Sequence, residues 1–319
     1  MNTYKTEVYL GDSRGVLKKF PKGHFNLIVT SPPYADARKS HYDSIKPDNY
    51  AEFMRSFHDE LWRVLADKGS FVLNIKDKVV NGVRHRYIWH TIEALSRLGW
   101  RCVDDYLWIK PNAMPGYWKN RLRDEWEYCF HLTKQSNFAM YQDAVRKPIG
   151  NWTEKRLAKL TGKSTSRHNS ENNSGFGRDL RYWLNKNNVL PGNTVSVPLV
   201  GKNMGHPAAF PVGLPEFFIK LFTQQGDNVL DPFAGSGTTG VAAEELLRNV
   251  VLIDAKKEYF DTMIARLNKT SPSSRERVYF DCKESPEYPS VTNRYTVPVQ
   301  PILLETPLNY SVQGSSSPE

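Results

Sequence analysis

The sequence predicts an α/β protein built on a doubly wound, mostly parallel sheet. Short apolar segments of strand length alternate with longer segments of helical period along residues 26–109 and again along residues 214–267. A glycine-rich turn joins one of these strands to the helix that follows it, which is typical of α/β folds that bind nucleotides. Residues 137–201 are polar and basic and follow neither period, so we expect an insertion there.

Three strands and two helices are predicted in the first half of the chain. The strands are the apolar segments Asn26–Thr30, Ser70–Ile75 and Tyr106–Ile109. Apolar residues from Tyr50 to Leu65 recur at helical spacing, and Gly69 is expected to end that helix. Tyr87–Leu98 has the same period and is expected to stop at Gly99.

The second half continues the alternation. The predicted elements are, in order, a helix, a strand, a helix, a strand and a helix: Leu214–Gln225, Asn228–Leu230, Thr238–Arg248, Asn249–Ile253 and Tyr259–Leu267. This order of strands and helices predicts a parallel sheet with helices on both faces.

The positive charge of the chain is concentrated in one segment. The chain has 319 residues and a net charge of +9. The segment Arg146–Lys186 holds ten Lys and Arg residues and three acidic residues, so its own net charge is +7. Such a cluster fits either a solvated insertion or a surface that faces phosphates. Aromatic residues lie within it and favour nucleic acid because they can stack on bases: Trp152, Phe176, Tyr182 and Trp183.

The cysteines and the hydropathy indicate a cytoplasmic protein. Cys102, Cys129 and Cys282 lack paired spacing, which fits a reducing compartment and argues against disulfides and a zinc site. The eight histidines show no metal spacing either, so no metal is expected. No segment resembles a signal peptide or is long enough to span a bilayer, so we expect no membrane partner.

Residues Gly235–Gly240 (GSGTTG) match the pattern G-x-G-x-x-G between a strand and a helix. The match fits a dinucleotide site or a purely structural turn, whereas a P-loop is excluded because Val241 stands where a lysine is required. Asp231 ends the preceding strand, and its carboxylate would repel a pyrophosphate but attract the ammonium of a methionine moiety. Asp254 ends the next strand and is placed to accept hydrogen bonds from ribose hydroxyls. A positively charged cofactor with a ribose is favoured.

Residues Ser31–Tyr34 (SPPY) follow the first predicted strand. The prolines fix the backbone and remove two donors, so the Pro32 carbonyl and the Ser31 hydroxyl can both accept from an exocyclic amine. Two such acceptors favour a more tetrahedral nitrogen, whose lone pair can attack an electrophilic methyl group. The Tyr34 ring can stack on the base that carries the amine. In isolation, the motif also fits a rigid surface turn.

Together the two motifs resemble those of the amino-methylating DNA methyltransferases, in the permuted order that places the catalytic motif first. The resemblance covers residues 4–268 and implies the Rossmann-like fold of methyltransferases that use S-adenosyl-L-methionine. It also implies an organisation into a catalytic half, a target-recognition insertion and a cofactor-binding half, at residues 1–136, 137–201 and 202–270 respectively. Residues 271–319 are rich in proline and serine and follow no period, so we expect a tail that either wraps loosely over the domain or is disordered.

The same resemblance assigns the site residues. The catalytic motif corresponds to Ser31, Pro32, Pro33 and Tyr34. The residues implied to bind the cofactor are Asp12, Phe210, Asp231, Phe233, Gly235, Gly237 and Asp254. Asp12 belongs to an element near the adenine, and Phe210 follows Pro207 in a segment that closes over the methionine end. Ala255 and Lys256 depart from the acidic or proline-bearing turn that is usual after the ribose-binding acid.

A serine at the first position of the catalytic motif is typical of enzymes that methylate N4 of cytosine. The resemblance therefore implies N4 methylation in double-stranded DNA with the base flipped out, in a microbial restriction–modification system with a cognate restriction endonuclease. N6-adenine methylation is the main alternative, because two acceptors do not distinguish the two amines. A non-catalytic DNA-binding protein with a degenerate fold and an NAD oxidoreductase are further alternatives.

Two charged segments follow the strand that ends near Trp108. Lys110–Asn112 and Arg121–Glu127 fit contacts with the flipped base or its backbone, and they equally fit ordinary solvated loop charges.

Overall fold

The computed structural model describes residues 4–36, 45–117, 119–150, 166–167, 178–179, 187–199, 210–270 and 276–282. Most of the basic cluster Arg146–Lys186 lies outside these residues, as does Pro207.

The strands fall into a main sheet and a few short pairs. In chain order they are β1 (Lys5–Leu10), β2 (Phe25–Thr30), β3 (Leu65–Ile75), β4 (Lys78–Val80), β5 (Val83–His85), β6 (Arg101–Ile109), β7 (Trp126–Thr133), β8 (Lys147–Pro148), β9 (Ser166–Arg167), β10 (Arg178–Asp179), β11 (Asn188–Val189), β12 (Thr194–Ser196), β13 (Asn228–Asp231), β14 (Asn249–Asp254) and β15 (Glu276–Asp281). The α-helices are α1 (Ser13–Val16), α2 (Tyr50–Arg55), α3 (His58–Val64), α4 (Tyr87–Arg97), α5 (Gly213–Phe222), α6 (Thr238–Glu245) and α7 (Lys257–Thr270).

Nine strands form one sheet in the order β12-β6-β7-β3-β2-β13-β14-β1-β15. All neighbours pair in parallel except β7, which runs antiparallel to both β3 and β6. From the centre the chain winds both ways, since β2 leads through α2 and α3 to β3, and β13 leads through α6 to β14. The carboxyl ends of β2 and β13 therefore meet at a topological switch point, where sheets of this kind bind ligands.

Two apolar cores cover the two faces of the sheet. Alternate residues of β2 divide between them, with Ile28 in one core and Leu27 in the other, because successive side chains of a strand point to opposite faces. The first core packs α2–α4 onto the sheet through buried residues such as Tyr50 and Tyr87. The second packs α5–α7 onto the opposite face, for example through Phe218. The predicted doubly wound, mostly parallel fold is confirmed.

One predicted helix is wrong. The segment after Tyr50 forms two short helices, α2 and α3, and β3 already begins at Leu65. Gly69 therefore does not end a helix but lies within β3, where the register with β2 shifts. A Cβ atom at Gly69 would lie 2.9 Å from the Asn26 carbonyl oxygen, so the glycine allows the two backbones to approach. The other predicted strands and helices are present with shifted boundaries.

The sequence patterns did not predict β1, β7 or β15. β15 lies in the segment assigned to the tail and pairs in parallel with β1 at the edge of the sheet. Phe280 of β15 stacks on Tyr9 of β1 with the ring centroids 4.4 Å apart. Arg277 donates to the buried Glu244 of α6 at 2.9 Å.

The described part of the chain holds no helix of the length and apolarity that a bilayer span requires. Within that same part, no cluster of His, Cys, Asp and Glu side chains is arranged to hold a metal ion.

Candidate active site

The predicted site residues gather at one edge of the sheet. Ser31 directly follows β2, Asp231 ends β13 and Asp254 ends β14. Asp12 follows β1 by two residues, and Gly11 of that turn donates its N–H to the Asp254 carbonyl at 2.9 Å. Parallel strands bring their carboxyl ends together, which explains how residues far apart in the chain meet here.

Asp231 joins the two motifs across the switch point. Its carboxylate is fully buried and accepts from Thr30 Oγ1 at 2.6 Å, from Thr239 Oγ1 at 2.5 Å and from the Phe233 N–H at 3.1 Å. Thr30 immediately precedes the catalytic motif, and Thr239 lies at the start of the helix after the glycine loop. Burial raises the pKa of Asp231 to about 6, although the three hydrogen bonds lower it.

The glycine loop depends on backbone conformations that other residues rarely adopt. Gly235 has φ +52° and Gly237 has φ +75°. A Cβ atom at Gly237 would lie 2.9 Å from Met263 Cγ, so the loop also packs too closely on α7 for a side chain. Arg266 of α7 donates to Thr238 Oγ1 at 2.8 Å and to Ser236 Oγ at 3.1 Å, which fixes the loop from the same side.

Asp254 is held beside this loop by backbone donors. Its carboxylate accepts from the Gly235 N–H and the Lys256 N–H, each at 2.9 Å. Burial raises the pKa of Asp254 to about 6, against the effect of these two hydrogen bonds. The unusual Lys256 thus keeps the carboxylate oriented through its backbone. Each carboxylate oxygen accepts one of these bonds and retains a lone pair for a further donor.

Of the remaining predicted cofactor residues, Asp12 and Phe233 lie in the same region, whereas Phe210 is placed only by its packing on the second core. Asp12 caps α1 and accepts from the Arg14 N–H at 2.8 Å and from its guanidinium at 2.6 Å. The Phe233 ring packs edge-on against Phe57 with the centroids 4.9 Å apart. Phe210 is half-buried against the second core, and the residues just before it lie outside the described ranges.

The catalytic motif forms a hydrogen-bonded turn with its tyrosine directed inward. Ser31 Oγ donates to the Tyr34 hydroxyl at 3.2 Å, and that hydroxyl donates its single hydrogen to Glu127 Oε2 at 2.6 Å and lies 3.1 Å from Asn74 Oδ1. Burial, followed by the charge of Glu127, raises the pKa of Tyr34 well above its usual range. Pro32 is buried and Ser31 is half-buried.

Lys110 and Glu127 are the functional candidates whose burial the sequence did not predict. Lys110 follows β6 and Glu127 is the second residue of β7, and they form an ion pair with only 6% and 5% of their surfaces exposed. The interpretation as solvated loop charges is therefore excluded for Lys110 and Glu127. It still fits Arg123 of the same segment, whose side chain is exposed. A glutamate that interrupts an otherwise apolar and aromatic strand was the available signal.

The glycine loop, the carboxylates of Asp231 and Asp254 and the Ser31–Tyr34 turn thus meet at the switch point of a parallel sheet, where α/β enzymes hold nucleotide-containing ligands. The profile of the DNA methylase family, which comprises N6 and N4 methyltransferases, matches residues 25–266. The chain belongs to this family.

Sequence relatives are similar over most of their own length. The chain is 29% identical to the type II methyltransferase M.PvuII of Proteus hauseri over 81% of this chain and 82% of the relative. It is 30% identical to the type II methyltransferase M.Cfr9I of Citrobacter freundii over 82% and 87%, respectively.

Solved structures agree with the fold. The PvuII DNA methyltransferase (cytosine-N4-specific) is 26% identical with a TM-score of 0.62, over 83% of this chain and 87% of that one. A DNA modification methylase from Thermus thermophilus, solved with S-adenosyl-L-methionine, is 22% identical with a TM-score of 0.57, over 87% and 98%. The predicted fold and the predicted membership among amino-methylating DNA methyltransferases are confirmed.

Proposed function

We propose that this enzyme transfers the methyl group of S-adenosyl-L-methionine to the exocyclic N4 amine of cytosine in a specific double-stranded DNA sequence. The observation that carries the proposal is the hydrogen bond between Thr30 and Asp231, which fastens the catalytic motif to the cofactor loop at 2.6 Å. The acceptors proposed for the amine, in the Ser31–Tyr34 turn, therefore lie beside the loop proposed for the methyl donor.

The residues of the loop fit this cofactor. Asp254 keeps lone pairs that can accept from ribose hydroxyls. The buried Asp231 carboxylate supplies negative charge below the loop and does not fill the space above the loop backbone. Gly235 and Gly237 leave the backbone open to close approach. When bound, the cofactor supplies an electrophilic methyl group on a positively charged sulfur. Phe233, Phe210 and Asp12 are proposed to enclose its remaining parts.

The catalytic motif fits a flipped base. The Ser31 hydroxyl donates its own hydrogen to Tyr34, so its oxygen remains open to accept from the target amine. The Pro32 carbonyl is the second acceptor, and Pro33 fixes its direction. The serine and the cytosine-N4-specific name of the PvuII relative favour cytosine over adenine.

The biological setting follows from the same relatives. Several of them are named as type II methyltransferases, which supports the modification enzyme of a restriction–modification system acting on the same DNA site as a cognate restriction endonuclease. We propose that the basic cluster Arg146–Lys186 contacts the DNA backbone and that the protein works in the cytoplasm, where its DNA lies.

The proposal is tested by methyl transfer in vitro. Purified protein, S-adenosyl-L-methionine with a labelled methyl group and unmethylated phage DNA should give labelled DNA. Ser31→Ala should lower turnover by about 100-fold or more and leave cofactor affinity nearly unchanged, because the hydroxyl acts on the amine. Wild-type protein that binds the cofactor but labels none of several DNAs would contradict the proposal.

A further inference from the structure

A buried ion pair lies directly behind the catalytic motif. Lys110 Nζ contacts Glu127 Oε1 and also lies 4.6 Å from the centre of the Trp108 ring. Burying two charges carries a desolvation penalty that their attraction scarcely offsets, so such a pair is a poor device for stability alone. Its position against Tyr34 suggests that it serves the reaction.

The hydrogen bonds from the crevice to Glu127 all point one way. The Ser31 hydroxyl donates to Tyr34, and the Tyr34 hydroxyl donates to Glu127. The Asn74 amide is held in place by its donation to the Tyr128 carbonyl at 3.0 Å, and its oxygen lies 3.1 Å from the same tyrosine hydroxyl. Because each hydroxyl hydrogen points away from the crevice, the Ser31 oxygen faces the target amine as an acceptor.

We infer that Glu127 is a positioning residue for methyl transfer, which acts through Tyr34 to orient this chain and to receive the proton that the amine loses. The inference rests on the proposed function. As the amine nitrogen bonds to the methyl carbon, the carbon–sulfur bond breaks and its electron pair stays on sulfur. One N–H proton passes to Ser31 oxygen, the Ser31 proton to Tyr34 oxygen, and the Tyr34 proton to the Glu127 carboxylate.

The chemistry of the reaction requires such an outlet. Nitrogen gains a bond to carbon and must lose a proton, and the methylated amine is too weak a base to keep it. Lys110 balances the ionised Glu127 before transfer and remains charged after Glu127 becomes neutral. The raised pKa of Tyr34 keeps its hydroxyl protonated, so it relays a proton without becoming a phenolate. The titratable groups that face Glu127 are Tyr34, Tyr87, Lys110 and Cys129.

A double-mutant cycle tests the inference. Tyr34→Phe keeps the ring and the ion pair but removes the relay hydroxyl, while Glu127→Gln keeps the shape and removes the proton acceptor. Each should lower kcat by about 100-fold, with KM for DNA and S-adenosyl-L-methionine affinity by calorimetry within about threefold of wild type. The double variant should be no slower than the slower single variant, because both remove the same path.

Glu127→Gln leaves Lys110 charged and unpaired, which can destabilise the fold. The variant Lys110→Met/Glu127→Gln removes both charges and should unfold near the wild-type temperature while keeping the low kcat. This double variant carries the test if the single one does not fold.

Two outcomes would overturn the inference alone: wild-type kcat in a folded Glu127 variant, or losses in the cycle that multiply as independent effects. A wild-type protein that methylates no DNA would instead overturn the proposed function, and the inference with it.

Discussion

At the scale of single residues, Asp231 joins the two motifs by hydrogen bonds, and a second role in cofactor binding is predicted for it. The structure places its carboxylate within hydrogen bonds from Thr30, Thr239 and the Phe233 N–H, whereas the sequence predicted a counter-charge for a methionine ammonium. The two roles are compatible, because a buried charge acts on the loop above it through a medium that screens poorly. Contact with the ammonium stays a prediction.

Asp231→Asn separates these roles. The amide oxygen retains the bonds from Thr30 and the Phe233 N–H, and the Thr239 hydroxyl can turn to accept from the amide nitrogen. We expect a folded protein whose affinity for S-adenosyl-L-methionine is about tenfold to 100-fold lower, because the charge is lost. Calorimetry measures the affinity, and thermal unfolding checks the fold. Undiminished affinity would leave Asp231 with a structural role only.

The two buried carboxylates also predict a pH dependence of cofactor binding. Burial raises the pKa of Asp231 and of Asp254 to about 6, so both take up protons in the free protein below that pH. These pKa values lie above the ordinary 3.8, so the two groups stabilise the free fold increasingly as pH falls from about 6 towards 3.8.

For cofactor binding we predict the opposite sign, because the proposed contacts with the cofactor need ionised carboxylates. The dissociation constant for S-adenosyl-L-methionine should rise by about tenfold for each pH unit below 6 while one group titrates. Calorimetry at pH 7 and pH 5 tests this, with Asp254→Asn as the variant that lacks one titrating group. Equal affinity at the two pH values would argue against ionised carboxylates in the bound state.

At the scale of elements, the edge strand β15 is secured by a buried charge. Arg277 donates to Glu244, of which only 1% of the side chain is exposed, and Glu244 also accepts from Thr6 Oγ1 of β1 at 2.7 Å. Arg277→Ala removes this cation from the buried carboxylate and should lower the free energy of unfolding by about 3 kcal/mol. The exposed pair Lys257–Asp261 provides the control, because Lys257→Ala should change it by under about 0.5 kcal/mol. Equal effects of the two variants in denaturant unfolding would show that β15 is not anchored in this way.

The elements that could be predicted from the local sequence are those whose apolar residues recur with a clear period. The buried parallel strands are apolar runs, and α4 ends at Arg97, two residues before Gly99, which has φ +105°. The strand β15 shows no such run, because it lies at an edge and half its residues face solvent. The prediction of a helix that reaches Gly69 was wrong, because pairing with β2 places Leu65–Gly69 in a strand although the preceding apolar residues have helical spacing.

At the scale of the whole molecule, the site comes from two motifs 201 residues apart in sequence that share one hydrogen bond. Each motif was recognisable locally, because prolines, glycines and strand-ending carboxylates have positional meaning. Lys110 and Glu127 were not recognisable as a buried pair, since their burial depends on β7 running antiparallel between β3 and β6. The order of strands, which no single segment encodes, brings that pair under Tyr34.

The identity of the methylated base is the most direct test of the proposed function. DNA from cells that express the wild-type chain, and from cells that express Ser31→Ala, can be digested to nucleosides and analysed by mass spectrometry. We predict N4-methylcytosine in the first sample and its near absence in the second. N6-methyladenine without N4-methylcytosine would contradict the assignment to cytosine, and neither modified base in DNA from wild-type cells would contradict the proposed methyl transfer.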